Sequence, residues 1–138
     1  AIEYAAAHQL NVSAAESYVD RLLAASDGVV VPMQCEYFAL EGLSQLVSTI
    51  RQVKKLYNPR LEITGLLITM FNGRLNLSLS VLEELKKYYK DRIFTTPVPR
   101  SVRLSEAPSY GKPIQYYDKY SKGALAYEDI AKELMQRI

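Results

Sequence analysis

Tryptophan is absent from this chain, and cysteine and histidine occur once each, as Cys35 and His8. One cysteine cannot form an internal disulfide. One Cys and one His also cannot supply the four nitrogen and sulfur ligands of a structural zinc site. No apolar run approaches the ~20 residues that span a bilayer. The N-terminus lacks the basic stretch and apolar core of a secretory signal. Charge of one sign is scarce too: 17 Lys and Arg stand against 15 Asp and Glu, for a net charge of +2. So small an excess is no footprint of a nucleic-acid partner, and any DNA-facing surface has to come from local clustering. The expectation is a soluble, cytoplasmic protein with no membrane partner.

What is present suits one domain with a sizeable core. The chain has 138 residues, 49% hydrophobic and 23% charged, which is ordinary globular usage. Residues 1–12 are weakly patterned, and Asn11 and Val12 read as a break. Ser13 and Glu16 fit a capping box that opens a helix fading near Asp27-Gly28. Gly28 to Met33 is a β-branched run and reads as a buried strand. Leu40, Leu43, Leu46, Val47, Ile50, Val53 and Leu56 recur at helical spacing, so a helix runs from about Phe38 to Tyr57. Asn58-Pro59 stops it. Leu61 to Phe71 is nearly continuous apolar sequence at its centre, as in a strand covered on both faces. Asn72-Gly73 signals a turn, Leu77 to Lys90 a helix and Ile93 to Val98 a third strand. A long polar loop is expected from Pro99 to about Tyr120, then a last helix from about Lys122 to Gln136. Strands alternating with helices imply an α/β fold around a parallel sheet, with about three strands and four helices.

Two stretches carry a resemblance. Val31-Pro-Met-Gln-Cys-Glu-Tyr-Phe-Ala-Leu-Glu-Gly-Leu43 resembles the segment after the Walker B strand of ParA/Soj partition ATPases. Thr96-Pro-Val-Pro-Arg-Ser-Val-Arg-Leu-Ser-Glu-Ala-Pro-Ser-Tyr-Gly-Lys-Pro113 resembles that family's late loop, and Ser121-Lys-Gly-Ala124 with the final helix also matches. The likeness runs from about residue 22, so residues 22–138 look like the C-terminal portion of such an ATPase, with 1–21 an unmatched segment. It implies a partial P-loop NTPase-like, doubly wound fold. It also implies ATP and Mg²⁺ as cofactors, a homodimer, non-specific binding to double-stranded DNA, a ParB-type partner, nucleoid association, and a role in chromosome or plasmid segregation. The sequence departs from the family in having no G-x-x-x-x-G-K-[ST] loop. Gly111-Lys112 is followed by Pro113 and has Glu106 where the first glycine belongs. Cradling a phosphate needs consecutive backbone N–H groups, a lysine and a Ser/Thr hydroxyl. The Walker B aspartate is missing as well. The chain therefore reads as a fragment or a degenerate copy, improbable as an ATPase alone. The alternative is a non-catalytic DNA- or protein-binding module on the same scaffold.

By the same resemblance, Arg74 and Arg103 match positions that bear DNA contacts, and Met70, Pro99 and Arg100 lie where the family frames adenine and ribose. Composition adds some support. Residues 86–103 hold six basic side chains (Lys86, Lys87, Lys90, Arg92, Arg100, Arg103) and one acid, Asp91, a local charge of +5. A second cluster is Arg51, Lys54, Lys55 and Arg60. Such runs also arise as plain solvated surface. No recognition-helix signature is present, so phosphate contact is expected rather than base reading. Cys35 has no histidine base nearby in sequence and reads as a packing residue. Glu36 and Glu41 read as helix-start acids. The 11 tyrosines include a late group, Tyr116, Tyr117, Tyr120 and Tyr127, which reads as packing between loop and core.

Overall fold

The computed structural model describes the chain from residue 12 and its side chains from residue 18. His8 and the break at Asn11 lie outside the described residues, as do the side chains of the Ser13–Glu16 box. Val12, read as part of that break, is already helical. The order is α1 (Val12–Ala24), β1 (Gly28–Gln34), α2 (Tyr37–Leu56), β2 (Glu62–Thr69), α3 (Asn76–Tyr89), α4 (Val102–Glu106), α5 (Ile114–Tyr117) and α6 (Lys122–Arg137). Tight 3₁₀ turns occupy Lys90–Arg92 and Ala107–Tyr110. The described chain divides into two compact units. One holds the residues up to Val29 with Leu43–Glu62; the other holds Val30–Gly42 with Ile63–Ile138.

In the first unit Leu23, Leu43, Ile50, Val53 and Leu61 are buried. Asn58 does more than stop α2. Its Nδ2 donates to the carbonyls of Ser26, at 2.8 Å, and of Leu23, at 3.5 Å. Its Oδ1 accepts the Arg60 N–H at 3.3 Å. The helix breaker thus ties down the chain just after α1, taking the Ser26 carbonyl and sharing the Leu23 carbonyl with the Ser26 N–H.

The second unit contains the sheet. β1 and β2 pair in parallel, as the alternation of strands and helices requires. Gly65 through Ile68 are buried without interruption, which the apolar run anticipated. β1 differs from expectation. Val31 and Met33 are buried, but Val30, Pro32 and Gln34 are exposed. Proline lacks an N–H and is tolerated where a strand has an unpaired side, so Pro32 suits an edge. The third strand is also revised. Residues 93–99 make no named strand and are joined by two isolated parallel bridges, Ile93 to Leu66 in β2 and Pro99 to Phe71 just beyond it. Phe94 N–H donates to Leu66 O and Val98 N–H to Ile68 O, at 3.0 and 2.8 Å. Between these two bonds the segment advances four residues while β2 advances two, so the pairing is interrupted and no continuous ladder forms. Phe94, Val98, Leu67 and Ile130 form the core of this unit, with Leu104 and Leu134 against it.

The 99–120 segment is not a polar loop. It folds into α4, the 107–110 turn and α5, over a small cluster of Ala107, Ile114 and Ala124. Gly111 takes φ +62° to end the 107–110 turn. Ser121 caps α6: its Oγ accepts the Ala124 N–H at 3.2 Å and donates to the Asp118 carbonyl at 2.8 Å.

The end of α6 is tied to the start of β2. Arg137 donates to the carbonyls of Thr64, Arg92 and Ile93 and to Glu133. Glu133 also accepts the Thr95 N–H at 3.0 Å. Burial alone would raise the Glu133 pKa, but the hydrogen bonds from Arg137 and Thr95 outweigh it and hold the carboxyl below its ordinary range. The unfolded chain then binds this proton more readily than the folded one. The stabilisation is present above the unfolded glutamate pKa of about 4.3 and is lost as pH falls through the lower folded value. Melting temperature should therefore drop on acidification below that point, and Glu133→Gln should flatten the drop. An equal acid slope in both proteins would exclude Glu133 as its source.

Candidate functional site

The carboxyl end of a parallel sheet is where α/β folds present loops to ligands. Here that edge is made by the ends of β1, β2 and the 96–100 segment. Thr69 Oγ1 donates to the Met33 carbonyl at 3.3 Å, joining the ends of β1 and β2. Phe71 N–H donates to Val98 O at 3.0 Å, and Arg100 N–H to Phe71 O at 3.4 Å. These bonds bring Phe71, which directly follows Met70, alongside Pro99 and Arg100, 28 and 29 positions further along the chain. Pro99 is half-buried, Arg100 is exposed and Met70 is 55% exposed.

Met70 is the one non-glycine residue with positive φ among the described residues, at +49°. The left-handed region costs an L-residue roughly 1–2 kcal/mol, more for a β-branched one. Met70→Val should therefore destabilise the protein by about 2 kcal/mol, whereas an ordinary exposed position would change by under about 0.5 kcal/mol. Urea denaturation measures the difference.

Gln34 ends β1, and Cys35 and Glu36 follow it. Cys35 is buried, and that burial pushes its thiol pKa up. A thiol so placed is a poor nucleophile at neutral pH, in keeping with its reading as a packing residue. Glu36 and Glu41 are exposed. No cluster of three or more His, Cys, Asp or Glu suited to a metal occurs among the described residues.

The two arginines assigned to DNA differ. Arg74 sits exposed in the turn between β2 and α3, where Asn72 Oδ1 accepts its backbone N–H at 3.1 Å. Arg103 lies on α4 and is engaged internally. Its Nη1 pairs with Glu106 Oε2 at 3.2 Å and its Nε with Asp118 Oδ2 at 3.4 Å. Tyr117 Oη donates to the same Glu106 Oε2 at 3.0 Å. Hydrogen bonding with Tyr117 and Glu106 raises the Arg103 pKa further. Asp118 is not marked by the sequence, which shows Glu106 only as a departure from the phosphate-loop pattern and Tyr117 only as a packing tyrosine. Glu106 stands three residues after Arg103, the spacing of neighbours on a helix, and that spacing was the available signal. The wider basic run is partly engaged as well: Lys87 pairs with Glu84, and Arg92 Nη1 donates to the Ile63 carbonyl at 3.0 Å.

The tyrosines depart from the packing expectation. Tyr117 is half-buried and stacks on Tyr110, with ring centroids 5.1 Å apart. Tyr116 and Tyr120 are 82% and 78% exposed, and Tyr127 is also exposed. Lys119 Nζ lies 4.8 Å from the Tyr120 ring centroid.

Comparison with solved structures identifies the class of fold. Cobyrinic acid a,c-diamide synthase from Mycobacterium smegmatis, solved with bound ADP and magnesium, matches with a TM-score of 0.62 and 32% identity, covering 83% of this chain and 39% of that one. The fold is α/β of the P-loop NTPase-like kind. A family model described as an AAA domain matches residues 13–63. Sporulation initiation inhibitor protein Soj of Bacillus subtilis is 58% identical over 112 residues, 81% of this chain and 44% of its own length. Chromosome partitioning protein ParA of Myxococcus xanthus is 54% identical over 115 residues, 83% of this chain and 41% of its own length. Chromosome-partitioning ATPase Soj of Thermus thermophilus is 47% identical over 116 residues, 84% of this chain and 47% of its own length. The chain is homologous, over most of its length, to the Soj/ParA chromosome-partitioning ATPases. It spans less than half the length of these relatives. No helix among the described residues is long and apolar enough to cross a membrane.

Proposed function

We propose that this chain is the C-terminal portion of a ParA/Soj-type partition ATPase, with residues 22–138 forming that portion. The observation that carries the reading is the 58% identity over 112 residues to Soj. In this reading the parent protein binds ATP with Mg²⁺, dimerises, coats double-stranded DNA without sequence preference on the nucleoid, and answers to a ParB-type partner. Met70, Pro99 and Arg100 frame the adenine and ribose. A thioether, a proline ring and a guanidinium on one strand-end edge fit a flat heterocycle and its sugar hydroxyls. The sequence supplies no G-x-x-x-x-G-K-[ST] loop to cradle the phosphates. Retention on DNA depends on Arg74 and Arg103.

That missing loop motivates a second reading, a non-catalytic binding module on the same scaffold. Binding of the chain to unrelated duplex DNA, with and without ATP at low and moderate salt, separates the two. Affinity that falls steeply with salt, ignores ATP and weakens in Arg74→Ala/Arg103→Ala supports the module. Affinity that requires ATP supports the ATPase portion. No binding under any condition removes independent DNA activity from this chain.

A further inference from the structure

We propose that Arg103 is a positioning residue, a clasp that fixes the 102–121 segment, and not itself a phosphate ligand. The proposal rests on the DNA-binding reading above and states how one of its two arginines acts.

The segment has little else to hold its shape. α4 has five residues, the 107–110 turn four and α5 four. Helical pieces this short do not persist alone in water. Beneath them lies the small cluster of Ala107, Ile114 and Ala124, with Leu104 and Tyr117 at its margin, and Leu104 of α4 also packs on the Leu67, Phe94, Val98 and Ile130 cluster. Across the top, the Arg103 guanidinium spans from Glu106 at the end of α4 to Asp118 just beyond α5, at 3.2 and 3.4 Å. Glu106 in turn takes the Tyr117 hydroxyl, and Tyr117 stacks on Tyr110. The linked side chains therefore bridge all three short elements. A single exposed ion pair contributes little. Here one guanidinium serves two carboxylates, and one carboxylate oxygen serves two donors, so ordering one side chain supports several bonds. A phosphate approaching Arg103 would have to displace Glu106 or Asp118, or bind beside two negative charges. Lys112 and Lys119 are exposed within the same segment, and they carry the charge that a held segment offers to DNA.

The sign of a charge change separates clasp from ligand. Kd for unrelated duplex DNA, and its salt slope, would be measured for the chain and for Arg103→Ala, Arg103→Lys, Glu106→Gln, Asp118→Asn and Tyr117→Phe. Limited proteolysis would follow cleavage within 102–121. A direct phosphate contact predicts tighter binding for Glu106→Gln and Asp118→Asn, which remove negative charge and free the guanidinium. It also predicts near-normal binding for Arg103→Lys and Tyr117→Phe. The clasp predicts the reverse: Glu106→Gln and Asp118→Asn bind about three- to tenfold more weakly despite the added net positive charge. Arg103→Lys then resembles Arg103→Ala, because an ammonium cannot reproduce the fork, and Tyr117→Phe is weakened with no change in charge. Each weakened variant is also cut faster within 102–121. Tighter binding in Glu106→Gln or Asp118→Asn overturns the proposal, as does unchanged proteolysis in Arg103→Ala. If the unaltered chain binds no DNA, the DNA reading falls for this chain, and the clasp stands or falls on proteolysis alone.

Discussion

Arg137→Ala is expected to destabilise the protein by about 2–4 kcal/mol. The guanidinium is only 19% exposed and its partner Glu133 21%. It donates to three backbone carbonyls, those of Thr64, Arg92 and Ile93, at 3.0–3.1 Å. It also lies 4.5 Å from the Phe94 ring centroid. Removing it leaves those carbonyls short of a donor in a partly dry environment and leaves Glu133 held by Thr95 without its charged partner. Urea denaturation gives the change directly. Arg137→Lys should recover less than half of the loss, because an ammonium cannot reach several carbonyls and a carboxylate in one plane. Full recovery by lysine would mean that charge, not the planar fork, holds the end of α6.

Gly65→Ala should cost about 2–3 kcal/mol, although alanine in a strand is otherwise favoured over glycine by roughly 0.5–1 kcal/mol. The reason is space. An added Cβ would lie 2.4 Å from Phe94 Cε2 and 3.0 Å from two further ring atoms. Phe94 is 2% exposed and packs with Leu67, Val98 and Ile130, while Arg137 sits against its ring. The ring cannot yield without disturbing both. The cost should shrink in a Phe94→Leu background, measured by a double-mutant cycle in urea. An unchanged cost there would place the strain somewhere other than this contact. Because Phe94 is shared, Gly65→Ala and Arg137→Ala should also combine non-additively.

The long elements were legible because their signals are local. The spacing of Leu43, Ile50 and Val53 gave α2 to within one residue at each end, and the apolar run from Leu61 contained β2. Two signals misled. The β-branched run of Val29, Val30 and Val31 suggested a buried strand, but Val30, Pro32 and Gln34 leave one face of β1 exposed. The prolines and polar residues after Pro99 suggested a loop, but the segment folds because Leu104, Ala107 and Ile114 find Ala124 on a later helix. Composition could not register a pairing at that distance in the chain.

The candidate site divides along the same line. That Met70, Pro99 and Arg100 belong together followed from the resemblance of the late loop to a known family. That they touch one edge is the work of two hydrogen bonds between Phe71 and the 98–100 backbone. The sequence likewise showed that residues 86–103 are basic, but not which of those charges are engaged. Arg103 faces two carboxylates, one of them 15 residues away, and Arg137 reaches Thr64 across 73 residues.

By itself, then, the sequence determined the alternation of strands and helices, the parallel pairing and the family, since all three rest on periodicity and contiguous motifs. The tertiary structure alone decided which strand is an edge, which tyrosines face solvent, where the backbone turns left-handed and which arginines are tied down. Those properties depend on groups far apart in the chain, and whether a side chain is held is settled by what folding places within about 3 Å of it.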